Sequence, residues 1–353
     1  SVKIPNFLIP KSLKNKGCYI ASLSDLVKWL GTKAEEIGVE IFTGFAATEL
    51  IFGRDDDVIG VKTGDFGRNR DGSNGQNFTP GIALKAKFTI FAEGSRGQLG
   101  KLLIDKYQLD KNSCPQNYAL GIKELWEIPT VKSKPGTVVH SLGWPLDSKT
   151  YGGSFLYHMN NNRVSIGLIV GLNYKNPWLS PFQEFQKLKT HPKILKILQG
   201  GKRIGYGARS LTAGSLYSLP KYIFPGGVLV GCNAGFLNAA RIKGSHSAVK
   251  SGILAAEAFF QVTKNNEASS SILLKNFEDK FKNSWLFTEL DAAKNFKGLM
   301  NKSMLLGAVI TYIEQNLLQG KSFIKVVSKK ADHEYLIKSI SCQKKEYPKP
   351  DGK

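Results

Sequence analysis

Residues 226–260 read GGVLVGCNAGFLNAARIKGSHSAVKSGILAAEAFF, and their reading decides the fold. The apolar run 227–230 is a buried strand. It passes into a turn of small residues, Gly231, Cys232, Asn233, Ala234 and Gly235, and then into an Ala- and Gly-rich helix over 245–260. Small side chains where a strand ends let the backbone approach another body closely. A helix N-terminus aimed out of such a turn offers free N–H groups and favours negative charge. The pattern is that of a chain holding a large cofactor against its backbone. Yet no strand–GxGxxG–helix unit stands at the start of the sequence, where a dinucleotide-binding protein carries one.

A second strand ends in the same way. FTIFAEG (88–94) is apolar throughout, hence a central strand, and stops at Glu93-Gly94-Ser95 before a helix over 96–107. In open α/β sheets ligands sit beyond the carboxyl ends of strands. Two such ends separated by a β-rich insert is the layout of FAD-dependent hydroxylase-like oxidoreductases. Each end alone is no more than a tight connection.

The flanking elements follow from periodicity. Ser22 with Asp25 resembles a capping box, and Leu26, Val27, Trp29, Leu30, Ala34 and Ile37 form one face of a helix over 22–37. A short strand over 39–42 follows, then a hairpin of 47–52 and 58–63 around the acidic turn Asp55-Asp56-Asp57, a polar loop or hairpin tip over 64–80, and a strand over 82–87. Strands near 118–125, 138–142, 153–159 and 163–170 predict an antiparallel sheet. A helix over 181–199 is broken at His191-Pro192, and 200–211 is a Gly-punctuated turn and strand. Helix dominates 271–318. Residues 1–20 read as an extended leading loop and 321–353 as a Lys-rich tail.

Composition narrows the function. At 353 residues two lobes are expected. The net charge is +21, with 41 lysines and 8 arginines. Lysine spread over solvated faces accounts for such a charge; attraction to an acidic partner or an anionic membrane is the functional reading. Scattered lysine with scarce arginine argues against nucleic acid. The four cysteines, Cys18, Cys114, Cys232 and Cys342, lie far apart with no CxxC, which excludes a zinc or iron–sulfur site spelled out by local spacing. A disulfide framework is equally disfavoured in a chain this long. GxSxG, HExxH and P-loop motifs are absent, and the five histidines show no metal-like spacing.

Two further stretches carry chemistry. Tyr151-Gly152-Gly153-Ser154-Phe155 places bare backbone between aromatics, either a bulge or a flat apolar slot in which N–H groups bond a quinone carbonyl. Residues 299–318 hold a nearly apolar run over 304–313 flanked by Lys302, Glu314 and Gln315. It is too short to span a bilayer and reads as a buried helix or, with lysine around it, as an interfacial one.

These residues resemble the electron transfer flavoprotein–ubiquinone oxidoreductase family. The resemblance rests on FTIFAEGSRGQLGKLL (88–103), QNYALGIKELW (116–126), GWPLDSKTYGGSFLYHM (143–159), GGKRIGYGARSL (200–211), FPGGVLVGCNAGFLN (224–238), IKGSHSAVKSGILAAEAF (242–259), KNSW (282–285) and EYPKPDG (346–352), in family order over nearly the whole chain. It implies a mixed α/β FAD/NAD(P)-binding, hydroxylase-like flavoprotein fold with an inserted antiparallel quinone-binding sheet. On that resemblance residues 1–112 and 216–265 belong to the FAD-binding part, 113–215 to the ubiquinone-binding part, 266–330 to a helical segment with a membrane-surface helix at 299–318, and 331–353 to a linker. Ala92, Glu93, Gly94, Gly231, Cys232, Gly235, Phe236 and Asn238 would contact FAD. Tyr151, Gly152, Gly153 and Phe155 would line ubiquinone, the two glycines as backbone donors. No acid–base residue is implied, because electrons pass through cofactors.

The resemblance further implies parts outside this sequence: a GxGxxG unit and a membrane-inserting helix before Ser1, and a ferredoxin-like segment with the cysteines of a 4Fe-4S cluster after Lys353. A fragment of that kind is expected to bind FAD poorly and to be inactive alone. The implied function is electron transfer from reduced electron transfer flavoprotein to ubiquinone, on the bacterial cytoplasmic membrane or the matrix face of the mitochondrial inner membrane. Two alternatives stay open: a geranylgeranyl-reductase-like or monooxygenase-like flavoprotein using NAD(P)H, and a non-catalytic basic protein that binds acidic surfaces.

Overall fold

The computed structural model describes residues 5, 9, 13–264, 270–318, 320–322 and 324–349. Most of the predicted leading loop before residue 13 and the end of the tail after residue 349 lie outside the described residues. Helix α1 (Leu23–Glu36) starts where Ser22 accepts a hydrogen bond from the Asp25 N–H, as its capping pattern requires. Its apolar face is uncovered by the described residues: Leu26, Val27, Trp29 and Leu30 are all exposed. The strand predicted at 39–42 does not form. The Val39 N–H turns back to the Ala34 carbonyl, 3.0 Å away, so this backbone closes the helix and joins no ladder.

Strands β1 (Ala47–Phe52) and β2 (Val58–Thr63) form the predicted hairpin, with Asp56 in the left-handed region at φ 57°. Strands β3 (Phe66–Arg68) and β4 (Asn74–Thr79) pair in the polar stretch beyond it, and β5 (Ala83–Lys85) adds to β2. Strand β6 (Thr89–Phe91) leads into α2 (Gln98–Lys106).

The second lobe is one antiparallel sheet. Strands β7 (Tyr118–Glu127), β8 (Val138–Leu142), β9 (Gly152–His158), β10 (Arg163–Gly171) and β11 (Lys202–Thr212) lie in the order β11-β7-β10-β9-β8. Helices α3 (Pro181–Lys189) and α4 (Pro192–Leu198) are separated at the expected proline, with His191 extended at φ −60°, ψ 128°. Alternation gives this sheet one core face, where Ile122, Leu156, Ile166 and Leu168 meet Phe185 and Leu188 of α3. Burial of Phe185, 0% exposed, contributes about 2–3 kcal/mol.

The chain then returns to the first lobe. Strands β12 (Ile223–Phe224) and β13 (Gly227–Leu229) precede α5 (Ser245–Lys264), α6 (Ser270–Lys282) and α7 (Trp285–Ala292). β13 pairs antiparallel with β12 and parallel with β6. Among the described residues β6 is therefore an edge strand and not the central one its composition predicts; Ile90 is exposed. The core of this lobe joins Phe91, Leu99 and Leu103 to Val228, Leu229, Leu254 and Phe277.

The helix expected over 299–318 is two helices, α8 (Phe296–Lys302) and α9 (Met304–Asn316). Ser303 is extended at φ −160°, ψ 125°, and its hydroxyl accepts from the Leu306 N–H. α9 folds back on α8 so closely that a Cβ on Gly307 would stand 2.8 Å from the Leu299 carbonyl. Beyond α9 the tail is strapped to the second lobe. Lys345 and Tyr347 both donate to Glu184 of α3, and the Ile337 N–H donates to Lys175 O.

Close packing at Gly226 gives a direct test. Gly226 has φ 82°, and a Cβ there would stand 2.0 Å from the Val58 carbonyl, whereas one on Gly207 of β11 meets nothing within 4 Å. Gly226→Ala should lower stability by about 2 kcal/mol or more and Gly207→Ala by less than about 0.5 kcal/mol, read from urea midpoints.

Candidate functional site

Thr89, Ile90 and Phe91 stand opposite Gly227, Val228 and Leu229, so two strands distant in sequence end side by side. The Val230 N–H donates to Phe91 O at 3.0 Å and closes the join. Ala92, Glu93 and Gly94 leave one strand end, and the single 3-10 turn Gly231–Asn233 leaves the other. Gly94, Gly231 and Gly235 take φ values of 85°, 58° and 94°, which an L side chain rarely adopts. No atom lies within 4 Å of the place a Gly94 Cβ would occupy.

Several side chains here are engaged by the protein itself. The Glu93 carboxylate accepts from the Leu99 and Gly100 N–H groups at 3.1 and 2.6 Å and so caps α2. Asn233, which the sequence placed in the turn without a role for its side chain, donates to Phe91 O, and glycines at 97 and 100 leave room for its amide. The buried Ser251 hydroxyl accepts from the Gly231 N–H at 2.9 Å. The turn thus rests against the body of α5, and the expectation that a helix N-terminus opens directly out of it fails, because residues 236–244 intervene. The Phe236 ring is 0% exposed, among Tyr222 and Phe281, so only its backbone can face a ligand. Cys232 is a free, partly buried thiol.

Asn238 shapes the loop that follows. Its amide oxygen accepts from the N–H groups of Ala240 and Arg241, and its nitrogen donates to Glu289 of α7 at 2.9 Å. Burial pushes the Glu289 carboxyl up, but hydrogen bonds from His246, Asn238 and Arg241 outweigh it and hold the group below its ordinary range. Left-handed backbone at three glycines around two adjacent strand ends, open at Gly94 and backed by Ala248 at Gly231 and by Gln116 at Gly235, fits the close approach of a flavin dinucleotide. An iron–sulfur cluster does not fit: among the described residues no three His, Cys, Asp or Glu side chains gather, and the four cysteines are free.

The second surface is the sheet face opposite the core. Register places Phe155 between His140 of β8 and Gly167 of β10, and Gly153 between Leu142 and Ile169. Alternation puts Tyr151, Gly153, Phe155 and Tyr157 on this face. Gly121 stands opposite Ile169, and Gly207 lies one strand further on, opposite Lys123, so the floor is largely backbone. The Phe155 ring lies across Gly167, where a Cβ would stand 2.4 Å from ring carbons. Tyr157 contacts Phe155 with ring centroids 5.0 Å apart, and its hydroxyl lies 3.4 Å from His140 Nε2.

Gly152 is not part of this face. Its position turns toward the core, where a Cβ would stand 2.4 Å from Leu146, so the structure brings Gly153, and not both glycines, together with Phe155. β9 also has a neighbour on each side, with the β8 ladder ending at the Leu142–Gly153 pair. The strand-end cradle meets the sheet at its β11 edge. Ser95, next to Gly94, donates to Ser210 O of β11 at 2.7 Å. His140 is held below the ordinary histidine range, first by burial and then by the charge of Lys243 from the 238–243 loop.

α9 presents an inverted pattern. Gly307, Thr311 and Glu314 are buried, while Leu306, Val309, Ile313 and Leu317 are 64%, 51%, 40% and 70% exposed. The buried Glu314 carboxylate accepts from Asn295 Nδ2 at 3.1 Å and from the Ser322 hydroxyl at 2.6 Å. No described helix is long and apolar enough to cross a membrane.

Known proteins share this arrangement. The family model described as ETF-QO, ubiquinone-binding, matches residues 118–211, the antiparallel sheet. The electron transfer flavoprotein-ubiquinone oxidoreductase of Pseudomonas aeruginosa is 48% identical over all of this chain and 64% of its own length. The mitochondrial proteins of that name from Arabidopsis thaliana and Homo sapiens are 49% and 47% identical, over 98% and 99% of this chain and 54% and 58% of theirs. The chain thus spans about three fifths of the length of these relatives. Among solved structures, a geranylgeranyl bacteriochlorophyll reductase-like protein of Thermoplasma acidophilum superposes with a TM-score of 0.59 at 16% identity, over 84% of this chain and 72% of that one. A flavin-dependent brominase does so with 0.53 at 17%, over 88% and 73%. At such identities the likeness is one of fold, and the fold is that of FAD-dependent flavoproteins with a separate antiparallel sheet. Read over its whole length, the chain is similar to electron transfer flavoprotein–ubiquinone oxidoreductases, and its antiparallel sheet matches the ubiquinone-binding family model.

Proposed function

We propose that this chain forms the flavin- and quinone-facing part of a membrane-surface enzyme that takes electrons from reduced electron transfer flavoprotein and delivers them to ubiquinone, giving ubiquinol. The observation that carries the reading is the juxtaposition of two surfaces: a backbone cradle at two strand ends and, beside it, a flat aromatic slot. FAD would be held by the backbone of Ala92, Glu93, Gly94, Gly231, Cys232, Gly235 and Phe236, with the loop shaped by Asn238 alongside. When bound, the flavin supplies the redox chemistry, accepting electrons from one partner and releasing them to another. The chain's own residues bind and orient. Gly153 offers backbone beside the Leu142 side chain, Phe155 and Tyr151 wall the slot, and Tyr157 with His140 places a hydrogen-bonding pair at one end of it. Catalysis of this kind rests on holding donor and acceptor close, and not on a general acid or base. A 4Fe-4S cluster, implied by the family resemblance, has no ligand set among the described residues, and no step is assigned to it.

The membrane would be met by α9. Leucine and isoleucine turned outward with threonine and glutamate turned inward reverse the order of a helix on a water-soluble face. Such a helix lies in one leaflet with its apolar side down. Exposed lysines at 302 and 321 flank it, and the net charge of +21 favours an anionic surface. Location on the bacterial cytoplasmic membrane or the mitochondrial inner membrane follows from the same reading.

Two measurements test it. In the flavin-loaded holoenzyme, Phe155→Ala should raise the KM for a soluble ubiquinone analogue by about tenfold, as expected when an aromatic wall worth about 1.4 kcal/mol is lost, while the flavin absorbance stays unchanged. Unchanged quinone kinetics would remove the slot from consideration. Leu306→Glu with Ile313→Glu should cut cosedimentation with anionic vesicles at least about tenfold without altering flavin content; undiminished binding would mean that α9 is not the contact.

A further inference from the structure

Lys297 of α8 is the most unusual side chain in the molecule, being 1% exposed although its charge demands hydration. No carboxylate contact within ion-pair distance compensates it among the described residues. Its ammonium donates to Asn173 Oδ1 at 3.3 Å and lies 4.3 Å from the centroid of the Tyr151 ring. Asn173 is held in turn by the Asn301 amide at 2.9 Å. Tyr151 directly precedes Gly152 and Gly153, and its ring also packs on Phe296 and against bare Gly171. Helix α8 thus presses a cation on the head of the strand that lines the slot. A lysine kept there at such a cost in hydration is better explained by electrostatics than by packing, since methionine would fill the same space.

We propose that Lys297 is a positioning residue of the quinone site, which acts through the Tyr151 ring to favour negative charge on the quinone oxygen nearest Gly153. The proposal rests on the quinone reading above. Reduction of a quinone to its quinol adds two electrons, which that reading takes from the flavin, and two protons from solvent, one to each oxygen. An oxygen carries negative charge whenever an electron precedes its proton, and a nearby desolvated cation lowers the energy of that state. The cation–π contact keeps both the ring and the ammonium in place.

The charge is switchable. Burial lowers the Lys297 ammonium to about 8, against a smaller opposing effect of Asp332. Burial pushes the Tyr151 hydroxyl up, so it stays neutral. Burial also raises the Asp332 carboxyl, though hydrogen bonds from the Tyr118 N–H and Asn117, and the charges of Lys297 and His333, oppose the rise. Glu314 of α9 is turned to Asn295 and Ser322. The influence of Lys297 is therefore full below about pH 8 and fades above it.

The test compares lawsone, a hydroxynaphthoquinone that is an anion at neutral pH, with its uncharged O-methyl ether, by calorimetric binding to the flavin-loaded holoenzyme. The unaltered protein should prefer lawsone by about tenfold. Lys297→Met should bring the ratio to about one. In the unaltered protein the preference should fall as pH rises through about 8, which tests the idea without any variant that could misfold. A preference that survives Lys297→Met, or that does not change with pH, overturns the role of Lys297 while the quinone reading stands. If neither probe binds nor competes with ubiquinone, the quinone reading itself fails and this proposal with it.

Discussion

The structure depends on the parallel pairing of β6 with β13. Those strands are more than a hundred residues apart in sequence, and the antiparallel sheet is the insert between them. The hydrogen bond from the Val230 N–H to Phe91 O and the second one from the Asn233 amide to the same carbonyl hold their ends level. Once level, the chain leaves both ends through glycines in the left-handed region, and the cradle follows from backbone geometry. The insert cannot drift away, since Ser95 is bonded to Ser210 in its edge strand. One ladder of three residue pairs therefore sets the position of everything a flavin or a quinone would touch.

Much of this was legible in the sequence because the relevant signals are local. The strand–turn–helix of 226–260, the hairpin at 47–63, the break at Pro192 and the strands of the sheet all arise from period, glycine and proline. What escaped was decided by neighbours far along the chain. The apolar run 88–92 promised a central strand, yet nothing among the described residues covers its outer edge. Residues 39–42 have strand-forming side chains but found a helix carbonyl nearer than a partner strand. The apolar stretch 299–318 carried no proline; Ser303 ends one helix and caps the next, and Gly307 lets the second fold back on the Leu299 backbone.

The site residues divide along the same line. The turns at Gly94, Gly231 and Gly235 were readable because positive φ demands glycine. The directions of the Phe236 ring and of the Gly152 position were not, because only the packing of a core or the register of a strand decides which way a residue points. The roles of Lys297, Asn233, Ser251 and Glu289 were invisible, because each acts on a segment remote from it in sequence. A lysine among apolar neighbours in NFKGLM (295–300) was the one available hint.

The glycine floor of the sheet has a consequence for how such a slot can change. Gly121, Gly153, Gly167 and Gly207 contribute peptide planes, and peptide planes cannot be exchanged by mutation. Any substitution there adds bulk, and at Gly167 it would unseat Phe155. Adjustment of the ring that fits must therefore come from side chains, at Leu142 and His140 of the neighbouring edge strand and at Lys123 and Ile169 between the glycines. The sheet thus separates a part of the site that is fixed by the polypeptide from a part that is free to evolve.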